Sequence, residues 1–176
     1  MKIIYALLIF VTLVLAGVAG FIYSGVYPIG ADVPHHKVEF WILETLRNKA
    51  IDRASSDITV PSLESAELLL AGGPDYNDMC AGCHLKPGKE QSDMSMGLYP
   101  TPPNLSAKGH TEEHGDAEQL ASRQFWVIKH GIKASGMPAW GPTHDDQRIW
   151  AMVAFLQKLP ELTPEEYQIL TAREVD

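Results

Sequence analysis

Cysteine is scarce in this chain, with two residues among 176, at positions 80 and 83. A zinc site built on these thiols would need two further cysteine or histidine ligands at ordered spacing. Lysine and arginine are also few, 14 against 22 acidic residues, and the formal net charge is −8. They form no basic cluster, which argues against a nucleic-acid-binding protein. Internal repeats and low-complexity tracts are absent as well, and the chain is 45% hydrophobic, as expected of a foldable domain.

The two cysteines belong to one pentapeptide, Cys80-Ala81-Gly82-Cys83-His84. A Cys-x-x-Cys pair followed at once by histidine is the attachment signature of c-type haem. Both thiols form thioethers to the haem, and the histidine ligates the iron. A thioredoxin-like pair would explain the cysteines but not the histidine, and the flanking sequence lacks its strand–helix pattern. We therefore predict one covalently bound haem c, which consumes both thiols and leaves none for a disulfide.

Residues 3–23 form an uncharged apolar run. At about 1.5 Å per residue this run can cross a hydrocarbon core of about 30 Å, which predicts a transmembrane helix. A cleaved signal peptide is the competing interpretation, because residues 16–20 are small, but the run is longer than a usual signal core. We favour an uncleaved anchor. Since Lys2 and the N-terminal amine are the only positive charges before the run, the N-terminus is expected in the cytoplasm and the rest on the other side of the membrane.

Four segments are predicted along the chain: an anchor (1–23), a juxtamembrane amphipathic helix and linker (24–62), a haem domain (63–160) and a C-terminal helical tail (161–176). The second segment has a helical pattern over residues 35–55. Its apolar positions follow i, i+3, i+4, i+7, i+8 spacing: Val38, Trp41, Ile42, Thr45 and Leu46. This helix could lie on the membrane, pack on the haem domain or contact a larger complex, and its mixed charge slightly favours a protein contact.

Local signals place the helices of the haem domain. A helix over 64–79 runs into the cysteine motif, with a break expected at Gly72-Gly73-Pro74. Residues 86–106 are rich in proline and glycine and are predicted to be loop. The next helices should occupy 117–130, capped by Asp116 and ended by Gly131, and then a segment from Asp145 or Asp146 to residue 158. A capping box at 163–166 predicts a short terminal helix.

The second axial position of the iron separates electron transfer from catalysis. Met137 is the strongest candidate, because a Gly/Pro-rich loop between two helices can hold a thioether at the iron with its backbone in one shape. Met94 and Met96 are rivals in a flexible loop, whereas Met79 lies too near the attachment motif and Met152 belongs on a core helix. Histidine–methionine ligation would raise the reduction potential.

Residues 64–159 resemble a class I c-type cytochrome, close to the haem domains associated with cbb-type oxidases. The matching segments are Tyr76-x-x-x-Cys80-Ala81-Gly82-Cys83-His84, Pro103-Asn104-Leu105, Trp126-Val127-Ile128-Lys129-His130-Gly131-Ile132, Gly136-Met137-Pro138-Ala139-Trp140 and Ile149-Trp150-x-x-Val153-x-Phe155-Leu156. The resemblance implies an all-α class I cytochrome c fold around one covalent haem, with the N-terminal transmembrane helix in addition.

The resemblance also implies roles for single residues. Met137 would be the distal ligand, the Pro103 carbonyl would accept a hydrogen bond from His84, and Trp140 would line the haem pocket. The first helix would cross the last one, so that Gly72 or Gly73 and Tyr76 meet Trp150 and Phe155. The resemblance further implies covalent haem assembly outside the cytoplasmic membrane of a bacterium, so the haem domain is expected in the periplasm.

The remaining histidines carry little signal. His110 and His114 have the i, i+4 spacing that helical metal sites use. Glycines bracket this pair, which favours a solvated turn over a second metal site. His35, His36, His130 and His144 could also supply metal ligands, and His35 could instead reach the haem or a partner cofactor, but no accompanying cysteine or fixed helix supports a second site.

The favoured function is one-electron transfer between respiratory redox partners, without a small-molecule substrate or nucleic acid. We therefore expect no enzyme activity. The alternatives are a haem enzyme or gas-binding subunit with an open distal site, and a fixed cytochrome subunit of an oxidase or dehydrogenase complex.

Overall fold

The computed structural model describes residues 1–108 and 116–173. Within these residues the regular secondary structure is helical throughout, without strands, which confirms the all-α prediction. The α-helices in chain order are α1 Lys2–Ser24, α2 Lys37–Ser55, α3 Ala66–Met79, α4 Ala81–His84, α5 Asp93–Gly97, α6 Ala117–His130, α7 Asp146–Lys158 and α8 Pro164–Leu170. The chain forms two compact units, Met1–Val33 and Pro34–Asp176.

Helix α1 makes up most of the first unit. Among the described residues it is the one helix long and apolar enough to cross a membrane. None of its residues is buried, and it ends at Gly25, whose φ of 66° allows the left-handed turn that commonly closes a helix. A membrane span and an N-terminal signal sequence share these properties, so α1 is a candidate for either.

Helix α2 packs on the haem domain with one face. Ile51 and Ser55 are buried on this face, and Asp52 pairs with Arg123 of α6. The apolar stripe found in the sequence lies elsewhere, with the large side chains of Val38, Trp41, Ile42 and Leu46 exposed. Ile51 and Ser55, four positions apart, therefore mark the packed face of α2, and the apolar stripe of the sequence remains on the surface.

Helix α3 is continuous through Pro74, so the break expected at Gly72-Gly73-Pro74 is wrong. A proline interrupts one hydrogen bond of a helix interior, but here packing favours continuity. A Cβ on Gly72 would lie 2.0 Å from the carbonyl oxygen of Ala151 in α7, so only glycine allows this close crossing. Tyr76, one turn further on, is 1% exposed and fixes the same face of α3 in the core.

The core forms where α3, α6, α7 and α8 meet. Its largest fully buried side chains include Tyr76, Ile149, Met152 and Phe155, which places Met152 on a core helix as predicted. The rings of Tyr76 and Phe155 are 5.4 Å apart, as the resemblance implies. Trp150 stacks on Phe125 of α6, with ring centroids 4.1 Å apart.

The predicted helix ends are confirmed in the second half of the chain. Asp116 accepts from the Gln119 amide at 2.8 Å, Asp145 accepts from the Arg148 amide at 2.8 Å, and Thr163 and Glu166 form a capping box. Each cap satisfies a backbone N–H that has no partner within the helix. The capped helices carry the buried side chains that enclose the candidate site.

One helix was not expected. Residues 93–97 form the short helix α5 inside the predicted loop. The Ser92 hydroxyl accepts from the Ser95 amide at 3.0 Å, and the Ser95 hydroxyl is 2.8 Å from the Ser92 amide. This serine-only capping box stabilises one turn that the composition of the surrounding loop conceals.

Candidate haem-binding site

The cysteine motif occupies one helical turn at the end of α3. The amides of Cys83 and His84 donate to the Cys80 carbonyl at 3.0 Å and 2.8 Å. Residues three and four apart lie on the same face of a helix, so the turn directs both thiols and the imidazole to one side. Both cysteines are free and partly buried. This arrangement suits the simultaneous attachment of a planar group at three points.

The surroundings of the Cys80 thiol favour its protonated form. Burial, followed by the negative charge of Asp75, raises the pKa of Cys80 to about 12. A redox-active cysteine needs a lowered pKa, because the thiolate is the nucleophile. Cys80 therefore lacks the lowered pKa that a reactive thioredoxin-like cysteine requires.

The His84 ring is held by a backbone carbonyl. Its Nδ1 lies 2.9 Å from the Pro103 oxygen, the contact that the resemblance implies. A carbonyl can only accept, so Nδ1 carries the proton and donates, and Nε2 keeps the lone pair that a metal requires. Such an outer hydrogen bond fixes the orientation of a ligating imidazole and raises its basicity.

The backbone around His84 is tied to the core. The Tyr76 hydroxyl donates to the Leu85 carbonyl at 2.7 Å, and the Leu105 amide donates to the His84 carbonyl at 3.1 Å. Leu85 has a φ of 66°, a value that is unusual for a branched residue. Burial raises the pKa of Tyr76 well above its usual range, so the hydroxyl remains a neutral donor. These bonds hold His84 and the Pro103 loop in register.

Met137 lies on the loop between α6 and α7. Its carbonyl accepts from the Ile132 amide at 3.1 Å, and its amide donates to the Ser135 hydroxyl at 3.1 Å. Further along the loop, the Trp140 amide donates to the Ile128 carbonyl at 3.0 Å. The loop thus satisfies carbonyls that the end of α6 would otherwise leave unpaired.

Gly131 permits this fold-back of the loop. Its φ is 66°, and a Cβ there would lie 2.7 Å from the Met137 carbonyl oxygen and the Ala139 amide nitrogen. Any other residue would force α6 and the loop apart. Met137 and Trp140 are partly buried and pack against the core cluster.

The rival methionines have different surroundings. Met94 and Met96 belong to α5 and are 56% and 61% exposed, whereas Met152 is buried at 1%. Met79 precedes the attachment motif at the end of α3. Met137 alone among these methionines combines partial burial with a loop fastened to the core.

The histidine pair His110 and His114 falls outside the described residues. Where the structure does describe the chain, it has no group of three acidic, histidine or cysteine side chains arranged to hold a metal ion. His35 contacts the ring of Tyr99, with centroids 5.2 Å apart, and pairs with Glu39. Its contacts are those of a packed residue at the start of α2.

Sequence reasoning missed the segment that joins the two halves of the site. The Ser92 hydroxyl donates to the Gly82 carbonyl within the attachment motif at 2.6 Å. Six residues later, Leu98 lies so close to Gly136 that a Cβ on the glycine would be 2.6 Å from Leu98 Cδ2. The serine spacing at 92 and 95 was the signal that could have located this helix.

A family sequence model described as cytochrome C oxidase, cbb3-type, subunit III matches residues 67–156. The chain belongs to this family. No curated protein and no solved structure matches the chain. The cbb3-type cytochrome domain contains α3 to most of α7, together with the cysteine motif and the Met137 loop, whereas α1, α2 and α8 lie outside the match.

The cofactor of a cbb3-type cytochrome domain is covalently bound haem c, and Cys80 and Cys83 fit its attachment motif. The donor set agrees with this cofactor, because it offers two free thiols and, on the same helical face, an imidazole whose Nδ1 is hydrogen-bonded to a backbone carbonyl. Membership of the family also supports haem-based electron transfer, with an electron carrier favoured over an enzyme and redox proteins as partners.

Proposed function

We propose that this protein is a membrane-tethered carrier of one electron, in which Cys80 and Cys83 hold haem c and His84 and Met137 ligate its iron. When bound, the haem supplies an iron centre that alternates between ferric and ferrous states. The protein contributes the two axial side chains, their fixed orientation and the exclusion of competing ligands.

The single observation that carries this proposal is the hydrogen bond between His84 Nδ1 and the Pro103 carbonyl, at 2.9 Å. It leaves Nε2 of His84 as the ligand atom and prevents rotation of the ring. Met137 is supported as the second ligand by its partial burial and by the hydrogen bonds that fasten its loop. If His84 and Met137 both ligated the iron, they would leave no position on it for a substrate.

The location follows from the first helix. We infer that α1 anchors the chain in the bacterial inner membrane, with the N-terminus in the cytoplasm and the cytochrome domain in the periplasm. The length and apolarity of α1 support the anchor, and the position of Lys2 before it supports the orientation. An exported location is also where a covalent haem c domain is expected.

The partners are proposed to be respiratory redox proteins, with a terminal oxidase as the first candidate. The family description names an oxidase subunit, which supports this choice. The chain would serve either as a free carrier tethered near its partners or as a fixed subunit. Purification in mild detergent distinguishes the two, since a fixed subunit remains with its oxidase and a carrier elutes alone.

The axial ligands are tested with Met137→Ala. We expect the ferric wild-type protein to show the long-wavelength iron–sulfur charge-transfer band and the ferrous protein to bind carbon monoxide slowly. In Met137→Ala the band should disappear and carbon monoxide should bind readily, because the variant opens one face of the iron.

Met94→Ala and Met96→Ala are the matched controls, because both remove an exposed methionine from α5. Both should retain the band. Loss of the band in either control would indicate that the second iron ligand is that methionine of α5 and not Met137. If the wild-type protein lacks the band and binds carbon monoxide rapidly, the haem enzyme or gas-binding alternative is favoured.

A further inference from the structure

The outward face of α2 combines apolar and basic side chains without an acidic one. Val38, Ile42 and Leu46 follow one another at four-residue spacing and are 69%, 50% and 65% exposed. Lys49 and Arg53 continue the same helical face toward the C-terminal end of α2, because positions three to four residues apart lie above one another. This surface, residues 38, 42, 46, 49 and 53, is called the outward α2 face below.

Side-chain contacts separate the charged residues of α2 into two groups. Each acidic residue has a partner within the domain: Glu44 pairs with Arg47, Asp52 pairs with Arg123, and the Glu39 carboxylate lies 3.3 Å from Nδ1 of His35. Lys49 and Arg53 have no ion pair among the residues that the structure describes. In a chain of net charge −8, the outward α2 face is therefore a cationic and apolar surface.

Trp41 lies at the flank of this face and is 64% exposed. Tryptophan is enriched at the boundary between lipid and water, because its ring is apolar and its N–H is polar. Apolar side chains flanked by tryptophan and followed by lysine and arginine are typical of helices that lie in a bilayer interface. Only residues 25–36 separate α2 from the candidate membrane span, a length of about 40 Å when fully extended.

We propose that the outward α2 face lies on an anionic phospholipid bilayer, with its apolar side chains at the acyl boundary and Lys49 and Arg53 among the phosphate groups. This contact orients the cytochrome domain on the membrane surface. The inference rests on the proposed membrane attachment and is independent of the assignment of His84 and Met137.

The test uses the full-length haem-containing chain in vesicles, with a nitroxide spin label on Ile42→Cys. In vesicles of phosphatidylethanolamine and phosphatidylglycerol, the label should be more accessible to oxygen than to a water-soluble nickel chelate, because oxygen concentrates in the acyl region. The matched control is Ile169→Cys on α8, an isoleucine that is 73% exposed. Its label should remain accessible to the nickel chelate.

The basic side chains are tested in the same labelled protein. Each lysine or arginine near an anionic membrane surface changes the binding equilibrium about fivefold. Lys49→Gln with Arg53→Gln should therefore shift the equilibrium of the label toward water by about 25-fold. Lys49→Arg with Arg53→Lys keeps both charges and should behave as the parent protein does.

Four outcomes would overturn the inference. If the label at position 42 is as accessible to the nickel chelate as the label at position 169, the outward α2 face is exposed to water. Protection only in native membranes, and not in pure lipid, identifies a protein partner. Spin–spin broadening between labels in detergent identifies a second copy of the chain. Failure of the chain to float with the vesicles would contradict both this inference and the proposed anchor, whereas flotation with an exposed label contradicts this inference alone.

Discussion

Single residues of this domain work through a few long-range hydrogen bonds. Asp75, nearly buried in α3, accepts from Arg148 Nε and Nη2 at 2.5 Å and 2.8 Å and from Arg173 at 3.1 Å. Neither arginine is fully desolvated, with side chains 45% and 54% exposed. The two ion pairs of Asp75 nevertheless connect α3 with α7 and with the segment after α8, next to the attachment motif.

Asp75→Asn is expected to lower the free energy of unfolding by about 1–3 kcal/mol at neutral pH, a range reduced for the exposure of both arginines. The hydrogen bond from Arg148 is the main cause that lowers the pKa of Asp75 below its ordinary value of 3.8. A lowered folded-state pKa stabilises the protein above the unfolded value, and this contribution disappears as the pH falls through the folded value. Denaturant unfolding should show a constant gap between the two proteins above about pH 5 and a shrinking gap below pH 4.

At the scale of elements, the haem domain depends on how closely its helices approach. The crossing of α3 and α7 brings backbone within contact distance of backbone, and glycine at position 72 is required there. The fold-back of the Met137 loop on α6 likewise depends on Gly131. The attachment motif directly follows α3, and the Met137 loop is fastened to α6, so these two contacts position both parts of the candidate site.

Gly72→Ala tests the crossing. The new methyl group would meet the Ala151 carbonyl oxygen at 2.0 Å, so α3 and α7 must separate. We expect a loss of about 3 kcal/mol or more in the free energy of unfolding, measured by denaturant titration of the haem-containing protein. Gly97→Ala is the control, because nothing lies within 4 Å of its added Cβ. An unchanged stability of Gly72→Ala would contradict the close crossing.

At the scale of the whole molecule, the family match does not coincide with the folded domain. The match ends at residue 156, but α8 follows it and buries Tyr167 at 2% exposure. The Tyr167 ring contacts Tyr76 and Phe155, at 6.3 Å and 6.1 Å between centroids. The core of the cytochrome domain therefore extends into the C-terminal segment.

Tyr167→Ala should destabilise the domain by about 3–5 kcal/mol, because it empties a space lined by two core rings. Ile169→Ala, two residues along the same helix, removes an exposed side chain and should change the stability by about 0.5 kcal/mol or less. Thermal unfolding of both variants, followed by haem absorbance and circular dichroism, makes the comparison. Equal melting temperatures of the two variants would mean that Tyr167 of α8 does not contribute to the stability of the core.

Features that depend on neighbouring residues could be predicted from the sequence. The haem attachment motif, the apolar α1 run and the caps at Asp116, Asp145 and Thr163 are each defined within a few positions, where spacing alone determines which groups meet. The roles of His84 and Met137 came from a motif and a resemblance, and they remain proposals. The hydrogen bond from His84 to Pro103 was implied in the same way and is present in the structure.

Only the tertiary structure decided the features that depend on distant partners. Pro74 alone predicts a broken helix, but packing of Gly72 and Tyr76 against α7 keeps α3 continuous. The apolar pattern of α2 identified an amphipathic helix without showing which face would pack, and Ile51 and Ser55 selected a face that leaves Val38, Ile42 and Leu46 exposed. The sequence by itself thus determined the chemistry of the site, because covalent attachment is encoded locally. Packing between distant segments determined how the helices cross and which face of α2 remains exposed.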